Sequence, residues 1–186
     1  MTLVFVVFLV VIVAIALFLV GLYNGLVRTR NNVKNAWSQI DVQLKRRHDL
    51  IPNLVETVKG YMGHERGTLE AVTAARQQAI TITGDVADRM KAENALSQTL
   101  RSLFAVAERY PDLKANQNFL ALQEEVASTE NKIGFARQYY NDAAMRLKNA
   151  IETFPSNIFA NAFGFKPEPF FEVEAPEERK APQIKF

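Results

Sequence analysis

The feature that most constrains this chain is an apolar run near its N-terminal end. Residues 3–20 are eighteen consecutive residues without a polar or charged side chain, and the first charged side chain is Arg28. A helix rises about 1.5 Å per residue, so about 20 such residues cross a hydrocarbon layer about 30 Å thick. A helix also satisfies its own backbone hydrogen bonds inside lipid. We therefore predict a transmembrane helix over residues 1–27 and a water-soluble body beyond it.

Two other interpretations of the run carry less weight. The AIA triplet at residues 14–16 imitates a signal-peptide cleavage site, but the apolar run continues past it and no Lys or Arg precedes it. A core helix of a soluble protein usually has a polar face, and this run has none. The cations Arg28, Arg30 and Lys34 follow the span. The positive-inside rule then places the body in the cytoplasm and the N-terminus outside.

Four side chains beside the span are expected to lie at the membrane interface. Tyr23 carries the amphipathic type of ring that is common at headgroup level. Arg28, Arg30 and Lys34 are expected to anchor the helix at anionic headgroups, each contributing about 1 kcal/mol. The lipid bilayer is therefore the first partner that the sequence predicts.

The length and composition of the chain after the span limit what the soluble body can be. About 160 residues follow the span, which suffices for one domain with its own core. All 22 Lys and Arg and all 20 Asp and Glu fall in this part, so the body is nearly neutral. No basic excess points to nucleic acid as a partner. The chain has no cysteine, which excludes disulfides and thiolate metal sites.

Apolar side chains after the span follow a heptad pattern. The two sets of seam positions are Leu26, Val33, Ile40, Arg47, Leu54 and Tyr61, and Trp37, Leu44, Ile51 and Val58. Alternating spacings of four and three residues place both sets on one stripe of a helix. We therefore predict that the span continues as one helix, whose part in the body covers residues 28–62. Because Pro52 cannot donate a helical hydrogen bond, we expect a kink at residues 48–52, with Asp49 capping the restarted helix.

Three further helices are predicted over residues 65–83, 86–110 and 114–153. Each repeats the spacing of four and three residues, and glycines or a Tyr-Pro-Asp stop signal separate them. Amphipathic helices with short connections form up-and-down bundles. The predicted fold is therefore all-α, with the transmembrane helix continuing into an antiparallel four-helix bundle of long, coiled-coil-like helices over residues 28–154.

Residues 155–186 form a tail rich in Phe and Pro. The predicted topology returns this tail towards the bilayer, where its rings have three possible roles. They can cap the open end of the bundle, dock a neighbouring subunit, or contact lipid at the interface. The candidate contacts are Phe163, Phe165, Phe170 and Phe171. Residues after about Glu174 are expected to be loose.

The sequence shows no convergent reactive groups. Neither His48 nor His64 follows a Glu by three residues, as a di-metal carboxylate bundle requires, and no HExxH, Walker A, GxGxxG or GxSxG motif is present. His64 is interpreted as a solvated residue of a glycine-rich turn. His48, beside Arg46 and Arg47, is interpreted as a surface residue, with a pH-sensitive contact near the kink as the alternative. Arg47, at a seam position, is interpreted either as a buried ionic contact with Glu130 and Asn131 or as a surface pair worth under about 1 kcal/mol. We expect no catalytic residue, no metal and no cofactor.

The chain closely resembles the LemA family. The segments that carry the resemblance are YNGLV at 23–27, AWSQIDVQLKRR at 36–47, DLIPNLVETVKGY at 49–61, YPDLKAN at 110–116, TENKI at 129–133 and FGF at 163–165. The match covers nearly the whole chain, with a departure at residues 145–149. The resemblance implies a single-pass protein of the bacterial cytoplasmic membrane with a helical-bundle domain and no established enzymatic activity. Relatives are linked to membrane remodelling in organelle-forming bacteria.

These observations favour a membrane-anchored scaffold that self-associates. We expect polar residues outside the internal seam of the first helix, namely Asp41, Gln43, Arg46 and Asn53, to meet a neighbouring subunit. A monomeric adaptor or regulator of another membrane protein, such as a protease or transporter, is the alternative. An enzyme is the third hypothesis and requires a polar pocket among the helices.

Overall fold

The chain folds into helices joined by short connections. The computed structural model describes residues 2–82 and 85–171, and these ranges contain no strand. The helices are α1 (Thr2–Lys59), α2 (Arg66–Thr81), α3 (Val86–Ala107), α4 (Pro111–Lys114), α5 (Gln117–Glu152) and α6 (Ser156–Ala162). The predicted all-α class with a long apolar N-terminal helix is therefore confirmed.

Helix α1 joins the predicted span to the body without a break over 58 residues. Its apolar window has a mean hydropathy of 3.6, none of it is buried, and no other helix in the described ranges is long and apolar enough to cross a membrane. Pro52 lies inside α1, so the expected restart of the helix with Asp49 as its cap is wrong. Ile51 and Leu54, buried on either side of Pro52, hold α1 against its neighbours, and this packing outweighs one missing hydrogen bond.

Helices α1 and α5 pack along most of the length of α5 and run in opposite directions. The Trp37 and Tyr140 rings lie 5.6 Å apart, and farther along α1 the Tyr61 hydroxyl accepts a hydrogen bond of 2.9 Å from Asn116. The predicted seam residues that are buried are Leu26, Val33, Ile40, Leu44, Arg47, Ile51, Leu54 and Val58. The heptad interpretation is thus confirmed at these eight positions. Of the other two, Trp37 is partly buried, and Tyr61 is exposed because α1 has ended.

Helices α2 and α3 form a hairpin over the half of α1 that lies away from the span. Their apolar stripes join α1 and α5 in one core. The buried members of this core are Ile51, Leu54, Val58, Met62, Leu69, Val72, Ala79, Ala92, Leu96, Leu100, Leu103, Ala107, Leu113, Phe119 and Val126. Each fully buried Val, Leu or Phe stabilises the fold by about 1.5–3 kcal/mol. This shared core packs α2 and α3 against one side of α1.

The helix ends differ from the predicted ends by a few residues, most clearly between α3 and α5. Tyr110 adopts an extended conformation because a proline follows it, so α3 ends at Ala107 and Pro111–Lys114 forms a separate turn. The side chain of Asn116 then accepts a hydrogen bond of 3.0 Å from the backbone N–H of Phe119 and caps α5. The predicted end of the second helix at residue 83 lies outside the described residues, and α2 ends at Thr81.

The tail begins with the helix α6, which the sequence interpretation omitted. Ala160 and Phe165 are buried against Leu26, at the end of the body next to the span, as capping of the bundle requires. Phe171 instead packs along the side of the body, against Trp37 and Tyr140. Residues after Glu174, expected to be loose, lie outside the described residues.

Candidate functional site

A cluster of charged side chains lies in the middle of the body, between α1, α3 and α5. The side chain of Arg47 is 0% exposed and forms ion pairs with Glu93 on α3 and Glu130 on α5. It also donates a hydrogen bond of 2.6 Å to Ser97. The heptad places Arg47 on the buried stripe, so its guanidinium has to find its partners inside. The expected buried contact with Glu130 is confirmed, whereas Asn131 is exposed.

His48 extends this cluster on the side facing α2. Its Nε2 lies 3.1 Å from an Oε atom of Glu93, and its backbone carbonyl accepts a hydrogen bond of 2.7 Å from Arg76. The interpretation of His48 as a surface residue is therefore wrong, because the ring lies between α1 and α3. Burial raises the pKa of Glu93, but the hydrogen bond from His48 and the charge of Arg47 outweigh it and leave that pKa below its ordinary value.

Arg137 on α5 is a second cation near the cluster. It donates a hydrogen bond of 3.0 Å to Asn94 and lies 4.5 Å from the ring centroid of Phe171. Its Nε and Nη2 are buried without a hydrogen-bond partner. Burial and the charge of Arg47 lower the pKa of Arg137, which the two nearby carboxylates partly offset. The cluster therefore links the helices to the segment that leads to Phe171.

The lowered pKa of Glu93 predicts an acid-sensitive stability. A carboxyl group whose pKa is lower in the folded state contributes stability that is present above its unfolded pKa of about 4.3 and is lost as the pH falls through the folded pKa. We expect the free energy of unfolding of the wild type to fall below about pH 4, and Glu93→Gln to flatten this fall. Denaturant titrations at a series of pH values measure it. An equally steep acid loss in both proteins would contradict this role of Glu93.

The chemistry of the cluster is that of structural ion pairing. Arginine is always protonated, and its planar fork holds two carboxylates in fixed directions. Such contacts specify the register between helices. In residues 2–82 and 85–171, no group of three or more His, Asp or Glu side chains is arranged to hold a metal ion.

A second feature is an exposed groove between α1 and α5, on the outside of the body. Its volume is about 400 Å³. The groove is lined by Gln39, Val42, Gln43, Lys132, Phe135, Ala136 and Tyr139. Phe135 is 73% exposed, and Val42 and Tyr139 also present apolar surface to solvent. The Oε1 atom of Gln43 is buried in its floor without a hydrogen-bond partner. We name these residues the α1–α5 groove.

The polar residues predicted to contact a neighbouring subunit occupy different surroundings. Gln43 lines the α1–α5 groove, and Asn53 is exposed. Arg46 pairs with Glu125 of α5 at 2.7 Å, one turn beyond Gln43. Asp41 likewise pairs within the chain, with Arg89 of α3 at 2.6 Å. Asp41 and Arg46 thus already have partners on other helices of the same chain. The sequence of α1 alone does not reveal these pairs.

The predicted membrane-interface residues surround the end of the span. The Tyr23 ring lies 5.0 Å from that of Phe163 and 6.0 Å from that of Phe165. The guanidinium of Arg30 lies over Phe165, 4.9 Å from its centroid. Arg28 and Lys34 are exposed. Tyr23 and Arg30 thus contact the phenylalanines of the tail, whereas the side chains of Arg28 and Lys34 are exposed to solvent.

The four phenylalanines of the tail divide by burial. Phe165 and Phe171 are buried within their own chain, and Phe170 is half-buried beside Phe171. Phe163 is 60% exposed. Of the four, Phe163 therefore has most of its surface available to another molecule.

The apolar residues that line the groove, Val42, Phe135 and Tyr139, are not among the residues predicted from the sequence to contact a partner. Val42 lies outside the heptad seam of α1, and Phe135 lies two residues after the buried Ile133 on α5. An apolar residue on the polar face of an amphipathic helix is the signal that points to such a surface. Sequence reasoning chose the polar neighbours and omitted these side chains.

Comparisons with a family model and with individual known proteins point to the same family. Residues 36–186 match the sequence model of the LemA family. The chain is 29% identical over 157 residues to Protein LemA of Metamycoplasma hominis, covering 84% of this chain and 72% of that protein. It is 22% identical over 175 residues to Magnetosome protein MamQ 2 of Paramagnetospirillum magneticum, covering 81% of this chain.

Magnetosome protein MamQ of Magnetospirillum gryphiswaldense is similar at 21% identity over 174 residues, which cover 80% of this chain. The matches span 64% of the length of each of these two magnetosome proteins. The family match covers well over half of the chain and includes the charge cluster, the α1–α5 groove and the tail. The chain therefore belongs to the LemA family.

Proposed function

We propose that this protein is a non-enzymatic, membrane-anchored scaffold that associates with copies of itself through the α1–α5 groove. In this proposal α1 anchors the chain by a single pass in a bacterial cytoplasmic membrane, with the N-terminus outside. The cytoplasmic body is an antiparallel up-and-down bundle of α1, α2, α3 and α5. The observation that carries the proposal is the apolar wall of the groove, where Phe135 is 73% exposed.

The position of the groove favours a second copy as its occupant. Gln43 lies 20 residues beyond Tyr23 on the same helix, which corresponds to roughly 30 Å along the helix axis. Every copy anchored in one bilayer carries its groove at the same distance from the membrane. Two such surfaces therefore meet side by side through a twofold axis along the membrane normal, in which each copy offers the same patch to the other.

The chemistry of the groove supports association. Phe135 and Tyr139 supply aromatic area of the type enriched in interface cores, and Lys132 and the Arg46–Glu125 pair supply a polar rim. The Gln43 side chain also lines the groove and contributes polar surface to it.

The family relatives support a role in membrane or envelope organisation. Two of the similar proteins are named as magnetosome proteins, and a scaffold that assembles beside a bilayer is a reasonable component of a membrane compartment. The buried charge cluster supports the non-enzymatic part of the proposal, because its cations and carboxylates neutralise one another inside the body.

Substitution of Phe135 tests the groove. We expect Phe135→Arg to convert a discrete assembly of the full-length, detergent-solubilised protein into monomers, because it places a charge in the apolar centre of the contact. The molar mass from light scattering, corrected for detergent, is the measurement. Leu120→Arg on the same helix is the matched control, since Leu120 is also exposed but lies outside the groove.

The outcomes separate the scaffold from its alternative. An assembly that survives Phe135→Arg would reject the groove as the contact. A monomeric wild type would reject self-association and favour the adaptor, and crosslinking before purification should then recover a stoichiometric membrane-protein partner. Charge reversal at Arg46 is less diagnostic, because it also breaks the pair with Glu125 inside the chain.

A further inference from the structure

Helix α6 and the residues on either side of it carry apolar side chains that are mostly exposed. Phe154, Ile158 and Phe163 are 75%, 57% and 60% exposed, and we name them the α6 apolar face. On the other side of α6, Ala160 is buried against Leu26 of α1. Ile158 and Ala160 lie about 200° apart around a helix, so the face that carries Ile158 points away from the body.

The α6 apolar face lies at the level where the span leaves the hydrocarbon layer. Residues 3–22 span about 30 Å as a helix, the thickness of that layer, so Tyr23 begins the interface. The Phe163 ring is 5.0 Å from the Tyr23 ring, which places α6 at the same level. Arg30, which lies over Phe165, is roughly 10 Å farther along the helix axis. Each headgroup layer is about 5–7.5 Å deep, so Phe163 lies at its level and Phe165 lies at its outer edge.

The charges around α6 suit the same location. Residues 153–167 contain no Asp or Glu, and their single charged side chain is Lys166. The exposed cations Arg28 and Lys34 lie on the neighbouring part of α1. A segment with exposed apolar side chains, one lysine and no carboxylate suits the interface of an anionic bilayer.

We propose that α6 and its flanking residues 154–166 are a second membrane contact, which lies in the headgroup layer beside the span. Phe154, Ile158 and Phe163 enter the boundary between headgroups and acyl chains, and Lys166 and Arg28 meet lipid phosphates. The bilayer that α1 crosses is the occupant, because the contact with Tyr23 makes this surface continuous with the span. The contact restricts the rotation of the body about the axis of α1. It requires that α1 crosses the bilayer and is independent of self-association.

Spin labelling tests this contact directly, because the chain has no cysteine of its own. Three single-cysteine variants of the full-length protein are labelled: Ile158→Cys in the α6 apolar face, Phe8→Cys in the span and Leu120→Cys at the far end of the body. All three positions are exposed on the protein, so the labels should disturb the fold little. The proteins are reconstituted into vesicles of phosphatidylethanolamine and phosphatidylglycerol. Power saturation then compares collisions with oxygen and with a water-soluble nickel chelate.

We expect the ratio of oxygen to nickel collisions at Ile158 to be several times that at Leu120 and below that at Phe8. A ratio at Ile158 equal to that at Leu120 would overturn the proposal. Strong spin–spin broadening at Ile158, removed by dilution with unlabelled protein, would also overturn it, because a second copy would then cover α6. A label at Phe163→Cys should repeat the Ile158 result. The Phe8 label separately reports whether α1 spans the bilayer, so a failure of the anchor is distinguishable.

Discussion

Replacing Arg47 with Met is expected to destabilise the body by about 3–5 kcal/mol, the loss typical of removing one partner from a buried ion pair. The side chains of Arg47 and Glu93 are almost fully buried, so removal of the guanidinium leaves the Glu93 carboxylate inside the body without its ion-pair partner. Met fills similar space, so the loss reports charge and hydrogen bonding more than a cavity. The measurement is denaturant unfolding of the full chain in micelles, followed by helical circular dichroism.

The neighbouring residue supplies a matched control. Arg46→Met breaks an ion pair with Glu125 whose side chains are both well exposed, and this should cost less than about 1 kcal/mol. Equal losses at the two positions would contradict the importance of burial. Combining Arg47→Met with Glu93→Gln and Glu130→Gln should recover part of the loss, because no carboxylate is then left inside without its arginine.

Replacing Phe171 with Ala is expected to cost about 3–5 kcal/mol, the range for a large aromatic side chain removed from a packed site. Phe171 is 7% exposed, and its ring stacks on that of Trp37 at 6.0 Å. Its backbone is held on both sides by Asn141, which accepts a bond of 2.7 Å from the N–H and donates one of 3.0 Å to the carbonyl. Trp37 is the single tryptophan, so a red shift of its fluorescence should accompany the loss of stability.

Phe163→Ala is the matched control for this prediction. Phe163 belongs to the same tail but is 60% exposed, so its removal should leave the Trp37 emission unchanged and cost less than about 1 kcal/mol. A further link fixes the tail: the Tyr140 hydroxyl donates to the carbonyl of Pro169 at 3.0 Å. Burial, followed by the charge of Glu168, raises the pKa of Tyr140 to about 12, so this donor stays protonated at working pH. An unshifted Trp37 emission in Phe171→Ala would contradict the docking of the tail.

Much of the fold could be predicted because the heptad is a local signal. Leu26, Val33 and Ile40 recur every seven residues, and each is buried where the pattern predicts. The apolar run is equally local, since it requires only length and composition. The failed restart at Asp49 shows the limit, because one proline was weighed without the packing on either side of it.

The candidate sites were harder to predict because they join residues far apart in sequence. Arg47 and Glu93 are separated by 46 residues, and several acidic residues on other helices were equally plausible partners. The docking of Phe171 depends on Asn141, which carries no periodic signal. Helix α6 is short and lies between Pro155 and Gly164, so the sequence indicated only a tail rich in Phe and Pro and not this helix.

In the proposed membrane anchor, the unbroken helix α1 has a shorter part in lipid and a longer part in the body, so the two parts tilt together. Its 58 residues correspond to roughly 87 Å of rigid rod, of which about 54 Å lies beyond Tyr23. Spans change tilt when the thickness of the surrounding bilayer changes. A change of about 10° in the tilt of α1 would move the far end of this arm of about 54 Å sideways by roughly 9 Å. In the proposed scaffold, a change in bilayer thickness would therefore shift the body laterally and change its distance from a neighbouring copy.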